Sequence, residues 1–75
     1  MNNERRKSIK KAEELIDKAL DILNDVLNDE DMAFNNLSEG LQQSMRGEQM
    51  EENVDTLQDV IDQIEDAKDN LGNIQ

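Results

Sequence analysis

The sequence predicts an all-α protein, in which an antiparallel hairpin of two helices dimerises into a four-helix bundle. Three observations indicate this fold. Apolar residues recur at alternating steps of three and four residues in both halves of the chain, as they do along one face of a helix. Proline is absent and glycine first occurs at position 40, so no helix breaker lies in the first half. Turn-forming residues are concentrated between the two halves.

The first helix is predicted over about residues 4–36 of a single 75-residue domain. Its apolar row comprises Ile9, Ala12, Ile16, Ala19, Leu23 and Val26. Apolar residues beside this row widen the stripe, namely Leu15, Leu20, Ile22 and Leu27. The row then reaches Glu30, and the stripe is expected to drift towards Phe34, because a straight helix turns every 3.6 residues and not every 3.5.

The connector is predicted over residues 37–44, which are rich in turn and cap formers. A short helical turn is expected over Glu39–Gln43, with Leu41 folded back onto the two long helices. Ser44 is a suitable N-cap for the second helix, because its hydroxyl can accept a hydrogen bond from a free backbone N–H of the first turn.

The second helix is predicted over about residues 45–71 and carries two rows of the same period. Its apolar row comprises Met50, Val54, Leu57, Ile61, Ile64, Lys68 and Leu71. Its acidic row comprises Glu48, Glu52, Asp55, Asp59, Asp62, Asp66 and Asp69. The rows are offset by two residues, about 200° around the helix, so an apolar face lies opposite a carboxylate face. Gly47 is expected to cost about 1 kcal/mol relative to alanine, and Gly72 is expected to follow the C-cap.

A short connector makes two helices pack antiparallel. The basic cluster at the start of the chain would then lie beside Glu65, Asp66 and Asp69, and ion pairs are expected between them. This basic cluster comprises Arg5, Arg6, Lys7, Lys10 and Lys11. One partner helix covers only one apolar row, so the flanking rows predict a homodimer. The residues expected to form the core and the dimer contact are Ile16, Leu20, Leu23, Leu27, Leu57, Ile61, Ile64 and Leu71.

The charge balance indicates which partners the protein can bind. The chain has 19 acidic and 8 basic residues, a net charge of −11. Five bases against Glu4 give residues 1–11 a net charge of +4, whereas 18 acids against three bases give residues 12–75 a net charge of −15. Such a body repels nucleic acid and anionic lipid and attracts basic protein surfaces. Without cysteine or a membrane-spanning apolar run, the expected location is the cytoplasm.

The residue types offer little for catalysis, and no catalytic, cofactor or metal site is predicted. Histidine, cysteine, tyrosine and tryptophan are absent. Asp29 could open a calcium loop, but Phe34 then occupies the position that requires glycine. Glu51, Glu52 and Asp55 loosely resemble the acidic motif of MazG-like nucleotide pyrophosphohydrolases, although carboxylates that hold a metal in a helical bundle must project inward.

The acidic row is the main candidate for function. A 3.5-residue step advances about 5 Å along a helix, which is comparable with the phosphate spacing of a nucleic-acid strand. We therefore predict a protein-binding module whose carboxylates occupy a basic, nucleic-acid-binding surface of a host protein. The predicted partner-binding residues are Glu48, Glu52, Asp55, Asp59, Asp62 and Asp66. The alternative is a structural, self-associating protein whose acidic face is only solvated.

A second cluster, around the connector, allows two interpretations. It comprises Met32, Phe34, Leu37, Leu41, Met45 and Met50. These residues could form a small core beneath the turn, or an adaptable surface for a partner.

Residues 36–42 and 44–52 read NLSEGLQ and SMRGEQMEE. In these segments the chain resembles small acidic helical proteins that phages and prophages of Gram-positive bacteria encode. The resemblance departs at Ser38, where the relatives carry proline, and at Gly40 and Met45. It implies a phage context, in which small proteins often bind and disable a host protein, and assigns no activity of its own.

Overall fold

The computed structural model describes residues Met1–Ile74 as an elongated all-α structure. Helix α1 spans Asn3–Asn35, α2 spans Glu39–Gln42 and α3 spans Met45–Gly72. No strand occurs in this part of the chain, so the predicted all-α class is confirmed. The structure measures 58 × 15 × 12 Å, and the two long helices lie within one residue of their predicted bounds.

Polar side chains determine where each helix begins. Asn2 accepts a hydrogen bond from the backbone N–H of Arg5 at 2.8 Å, and thereby caps α1. Ser38 caps α2. Ser44 caps α3 as predicted, since its hydroxyl oxygen accepts from the backbone N–H of Gly47 at 3.3 Å. Each cap satisfies a backbone donor that the first turn leaves without a partner.

The end of α1 is held by a residue that the sequence did not reveal. Gln42 donates from Nε2 to the carbonyl oxygens of Phe34 and Leu37, both at 3.2 Å. The side-chain amide thus satisfies backbone acceptors at the helix terminus. The predicted short helical turn is present as α2, but the expectation for Leu41 is wrong, because its side chain is exposed.

Gly47 explains how α2 is placed against α3. A Cβ atom at this position would lie 2.2 Å from the carbonyl oxygen of Gln42 and 2.6 Å from that of Leu41. Only a residue without a side chain permits this approach of backbone to backbone. The helix-propensity cost of Gly47 therefore has a packing reason, and α2 approaches α3 here through backbone carbonyls rather than through the side chain of Leu41.

The prediction for Gly72 is wrong by two positions, because this residue precedes the C-cap and does not follow it. Gly72 is the last residue of α3, and Asn73 is the C-cap with φ −85°. Between Met1 and Ile74 no residue has a positive φ. Asn73 and Ile74 donate their N–H groups to the carbonyls of Asn70 and Leu71, so the helix ends in tight i→i−3 bonds and needs no left-handed residue.

Helices α1 and α3 pack along a seam that both contribute to. The seam residues of α1 are Ile9, Glu13, Ile16, Leu20, Leu23, Leu27, Glu30 and Phe34, and those of α3 are Met50, Val54, Leu57, Ile61, Ile64, Lys68 and Leu71. All are buried or half-buried; Ile61 and Leu20, 2% and 8% exposed, are the most enclosed hydrophobic residues. On α3 the seam is the predicted apolar row.

On α1 the seam differs from the predicted row. Leu20 and Leu27 occupy seam positions, whereas Val26 is 43% exposed and Ala19 is only half-buried beside the seam. The longer leucine side chains fill the space between the helices better than alanine and valine, so packing selects the register with more apolar volume.

The two long helices run in opposite directions. The ammonium group of Lys68, near the end of α3, donates to the carboxylate of Asp17 in the first half of α1. Arg6 and Ile9 share a cavity with Leu71 and Ile74. Asp17 and Lys68 therefore mark one level along the pair, and the start of α1 lies beside the end of α3.

Candidate functional site

The acidic row of α3 lies entirely on the surface. Every one of its seven members is exposed, and they occupy the side of α3 turned away from α1. From Glu48 to Asp69 the row extends for about 32 Å, at 1.5 Å per residue. The helix therefore presents the predicted partner-binding carboxylates as one continuous anionic surface.

These carboxylates take almost no part in holding the fold together. Asp62 accepts a hydrogen bond from Gln58 Nε2 at 3.1 Å. For the rest of the row, no side-chain hydrogen bond or ion pair is present within residues 1–74. The acidic row is accordingly available for a partner, since the structure does not use it elsewhere.

The ion pairs predicted for the basic cluster are absent. In the described part of the chain, the only salt bridge joins Lys68 to Asp17. Asp66 and Asp69 are exposed on α3, while Arg6 and Lys10 border a cavity at the open end of the pair. The prediction is wrong because closeness along the pair is not enough to form an ion pair. The acidic residues of α3 face solvent, and the salt bridge between the helices is made by Lys68 of the seam with Asp17 of α1.

Lys68 lies in the seam, and its ammonium group reaches the edge of the pair. Its pKa is raised above the usual value of 10.5, chiefly by the hydrogen bond to Asp17 and further by the negative charges of Asp17, Glu13 and Asp69; partial desolvation opposes this rise. Lys68 therefore links the two helices through a polar contact. In the sequence pattern it was only a charged residue within an apolar row.

A cavity of about 210 Å³ lies at the open end of the pair. Its lining comprises Arg6, Ile9, Lys10, Glu13, Leu71, Gly72 and Ile74. Sites for small molecules usually enclose about 300–1,000 Å³. This hollow is smaller than that and mixes charged with apolar side chains.

The acidic residues do not converge on a common point. Within residues 1–74, no group of three acidic side chains is placed to hold a metal ion. Glu51, Glu52 and Asp55, which loosely resemble a pyrophosphohydrolase motif, are all exposed on α3. For Met1 to Ile74, furthermore, none of the helices combines the length and apolar character that crossing a membrane requires.

The residue that precedes each seam residue defines a surface that we call the uncharged flank. Because α1 and α3 run in opposite directions, the residues before the seam lie on the same side of the pair in both helices. On α1 they are Ser8, Ala12, Leu15, Ala19, Ile22, Val26, Asp29 and Ala33, and on α3 they are Gln49, Asn53, Thr56, Val60, Gln63, Ala67 and Asn70. Asp29 is the only charged residue among them.

The residue that follows each seam residue defines the opposite surface, the charged flank. On α1 these are Lys10, Glu14, Asp17, Asp21, Asn24, Asn28, Asp31 and Asn35, and on α3 they are Glu51, Asp55, Gln58, Asp62, Glu65, Asp69 and Gly72. Most are ionised, and none is hydrophobic. The two flanks of one helix pair thus have opposite chemistry.

The uncharged flank also carries the hydrophobic residues that the seam leaves uncovered. Leu15 and Ile22 are 53% and 63% exposed, and Val26 and Val60 are exposed as well. The other exposed large hydrophobic residues of the described chain lie at its ends or around the connector, namely Met1, Met32, Leu41, Met45 and Ile74. An apolar patch is therefore confined to one side of the middle of the pair.

The residues predicted to form the core and the dimer contact all lie in the seam. Ile16, Leu20, Leu23 and Leu27 of α1 face Leu57, Ile61, Ile64 and Leu71 of α3 within one chain. The sequence pattern placed Leu15 and Ile22 beside the apolar row of α1, but the uncharged flank was not predicted. The flank could have been detected from α3, where every residue that precedes a member of the apolar row is uncharged.

The cluster around the connector does not form one core. Phe34, Leu37 and Met50 are half-buried, whereas Met32 and Met45 are exposed. The cluster is therefore divided between packing and surface.

Comparison with protein-family models, with curated proteins and with solved structures found no match to this chain. The geometry of its own residues therefore carries the functional argument.

Proposed function

We propose that this protein is an acidic protein-binding module, whose acidic row occupies a basic, nucleic-acid-binding surface of another protein. The observation that supports this best is that the row is fully exposed and almost unused by the fold. A chain of net charge −11 pays a cost in self-repulsion for these carboxylates, and binding a basic groove would offset it.

The length of the row agrees with this proposal. Its seven carboxylates extend over about 32 Å, close to one turn of duplex DNA, and they lie about 5 Å apart, whereas each DNA strand carries one phosphate per 3.4 Å of axis. The proposed mode of action is imitation of nucleic acid, by binding rather than by catalysis and without a cofactor. The protein itself is not proposed to contact nucleic acid or a membrane.

The resemblance to phage-encoded proteins supports the biological setting of the proposal. In that setting the partner is a host protein in the bacterial cytoplasm, and binding inhibits it. The proposal also includes an assembly state, in which the helix pair is a hairpin and two copies form a four-helix bundle.

The test is a competition experiment with bacterial proteins that bind duplex DNA through a basic groove. We expect the chain to displace a fluorescent duplex from at least one member of such a panel, with an affinity that falls steeply as salt is added. Changing Asp55, Asp59, Asp62 and Asp66 together to asparagine should abolish displacement and leave the helical circular dichroism unchanged.

A matched control removes the same charge from α1. Glu14→Gln with Asp21→Asn, Asp25→Asn and Asp31→Asn changes the net charge equally, at exposed positions outside the acidic row. We expect this control to keep most of its displacement activity. Equal loss in both variants would mean that net charge alone acts, and displacement by neither the chain nor its control would reject the proposal.

The second candidate function is that of a structural, self-associating module. The uncharged flank favours it, because an exposed apolar patch without charge is typical of a contact surface. The two candidates use different faces of the molecule, so they are compatible.

A further inference from the structure

The middle of the helix pair exposes an apolar patch that the described residues leave uncovered. The only buried hydrophobic residues of the described chain are Leu20 and Ile61, which are 8% and 2% exposed. The accessible surface is 5839 Å², whereas a compact monomer of 8.6 kDa exposes about 4,700 Å². The excess of about 1,100 Å² is spread over the whole elongated molecule, and it leaves enough surface for a contact that takes roughly 800 Å² from each partner.

The charge distribution identifies what covers the patch. Every other side of this strongly anionic chain carries carboxylates, so contact between two copies is repulsive except where both present uncharged residues. The uncharged flank is such a surface on both helices. Its polar members, such as Gln63 and Asn70, carry amides that donate and accept hydrogen bonds and can therefore pair with their own kind.

We infer that a second copy of this chain docks on the uncharged flank, with the two-fold axis perpendicular to the long axis of the helix pair. This inference rests on the two-copy assembly in the proposed function, and it specifies the face and the orientation. In a two-fold contact the same patch serves both copies, so the patch must complement itself.

The register of the helix pair permits this complementarity. An axis that passes between Ala19 and Ile22 places Ile22 opposite the small Ala19 of the other copy, and Leu15 opposite Val26. The level marked by Asp17 and Lys68 puts that axis close to Gln63 on α3. Large side chains then meet small ones on α1.

On α3 the same axis sets the other contacts. Val60 lies opposite Ala67 of the other copy, and the two copies of Gln63 lie near each other. Large again meets small, which fills space without voids.

The ends of the molecule favour this orientation over the one with the axis along the helices. The basic cluster gives the open end positive charge that Glu65, Asp66 and Asp69 of α3 partly offset, whereas the connector end carries Asp29, Asp31, Glu48 and Glu51. Turning one copy end over end brings the basic cluster near the acidic connector end of the other. The alternative orientation would bring the two basic clusters together.

Sedimentation measurements with one charge placed on either flank test the face. We expect the wild type and Asn28→Glu, on the charged flank, to have the mass of two chains at micromolar concentration. Ile22→Glu should weaken the association by about a hundredfold or more, because two unpaired carboxylates would be buried in one contact. Ile22 is 63% exposed within one chain, so circular dichroism should show that its helices remain.

Single cysteines test the orientation, since the chain has no cysteine of its own. Gln63→Cys lies near the axis and should cross-link two copies with a short reagent, whereas Thr56→Cys should not. Should Ile22→Glu unfold, this pair of variants still decides the proposal.

The outcomes separate this inference from the proposed function. A one-chain mass for the wild type at every concentration would overturn both the two-copy assembly and the docking face. A two-chain mass for Ile22→Glu would overturn the face alone. Cross-linking through Thr56→Cys as readily as through Gln63→Cys, or none through Gln63→Cys, would overturn the orientation. Displacement of DNA from basic proteins is a separate readout that none of these results decides.

Discussion

The uncharged flank and the charged flank share the same two helices and the same seam, yet one is almost free of charge and the other is mostly ionised. Packing along the seam does not explain why the two flanks differ in charge, because a helix pair packs equally well with charged residues on both flanks. In a chain with 19 acidic residues, a surface that avoids them along two helices is what the proposed contact between two copies requires. The comparison teaches that charge placement, rather than hydrophobicity alone, distinguishes the two sides of one helix pair.

The largest expected effect compares the seam with the uncharged flank. Ile61→Ala should lower the free energy of unfolding by about 2–5 kcal/mol at any protein concentration, because it leaves a cavity in the most enclosed part of the seam. Val60→Ala, its neighbour on the flank, should have a smaller effect that grows with protein concentration. Urea unfolding followed by circular dichroism at two concentrations measures both, and equal losses independent of concentration would contradict this distinction.

The next effect concerns the connector, which holds the two flanks in register. Gly47→Ala should destabilise the fold by about 1–3 kcal/mol, because its Cβ would clash with the carbonyl of Gln42. Gly40→Ala is the matched control: nothing lies within 4 Å of its Cβ, so higher helix propensity should make it neutral or up to about 1 kcal/mol stabilising. Thermal unfolding of both variants decides, and a stable Gly47→Ala would refute the close approach.

A smaller effect should appear on the charged flank. Asp55→Asn should stabilise the helix pair by roughly 0.2–0.5 kcal/mol at low salt, because it removes repulsion from neighbouring carboxylates. The gain should shrink as salt is added and screens the repulsion. Thr56→Asp, one residue away on the uncharged flank, should instead weaken self-association. If the two substitutions changed unfolding and association alike, the flanks would not differ in the proposed way.

The smallest effect is the pH dependence of the link between the helices. The pKa of Lys68 is raised in the folded state above the usual value of 10.5. The contribution of Lys68 to the free energy of unfolding is therefore fully present below that usual value and is lost as the pH rises through the higher folded value. Unfolding measured across this alkaline range should show a steeper loss for the wild type than for Asp17→Asn. Parallel curves would mean that the Asp17 contact does not stabilise the protonated lysine.

The helices could be predicted from sequence because their signals are local. Steps of three and four residues identified the seam of α3, and Ser44 identified its cap. The seam of α1 was harder, because alanine, valine and leucine alternate there and only the volume between the helices selects Leu20 and Leu27. The capping of α1 by Gln42 and the need for Gly47 depend on a close approach between distant segments, which periodicity does not report.

The candidate surfaces follow the same division. The acidic row could be predicted, since its exposure follows from lying opposite an apolar row on one helix. The absence of ion pairs at the basic cluster could not be predicted, because it depends on the direction in which each side chain leaves its helix relative to the seam. The uncharged flank emerges only when both helices are placed side by side, since Leu15 and Ile22 on α1 and Val60 on α3 then form one surface.

Isotope-filtered NMR on a mixture of labelled and unlabelled chains tests the central claim most directly, because it detects only contacts between copies. We predict signals between the methyl groups of Ile22 and Ala19, and between those of Leu15 and Val26, from different chains. No intermolecular signal should involve Ile61 of the seam. Intermolecular contacts confined to seam residues, or none at all at concentrations where two chains associate, would contradict the claim that a second copy covers the uncharged flank.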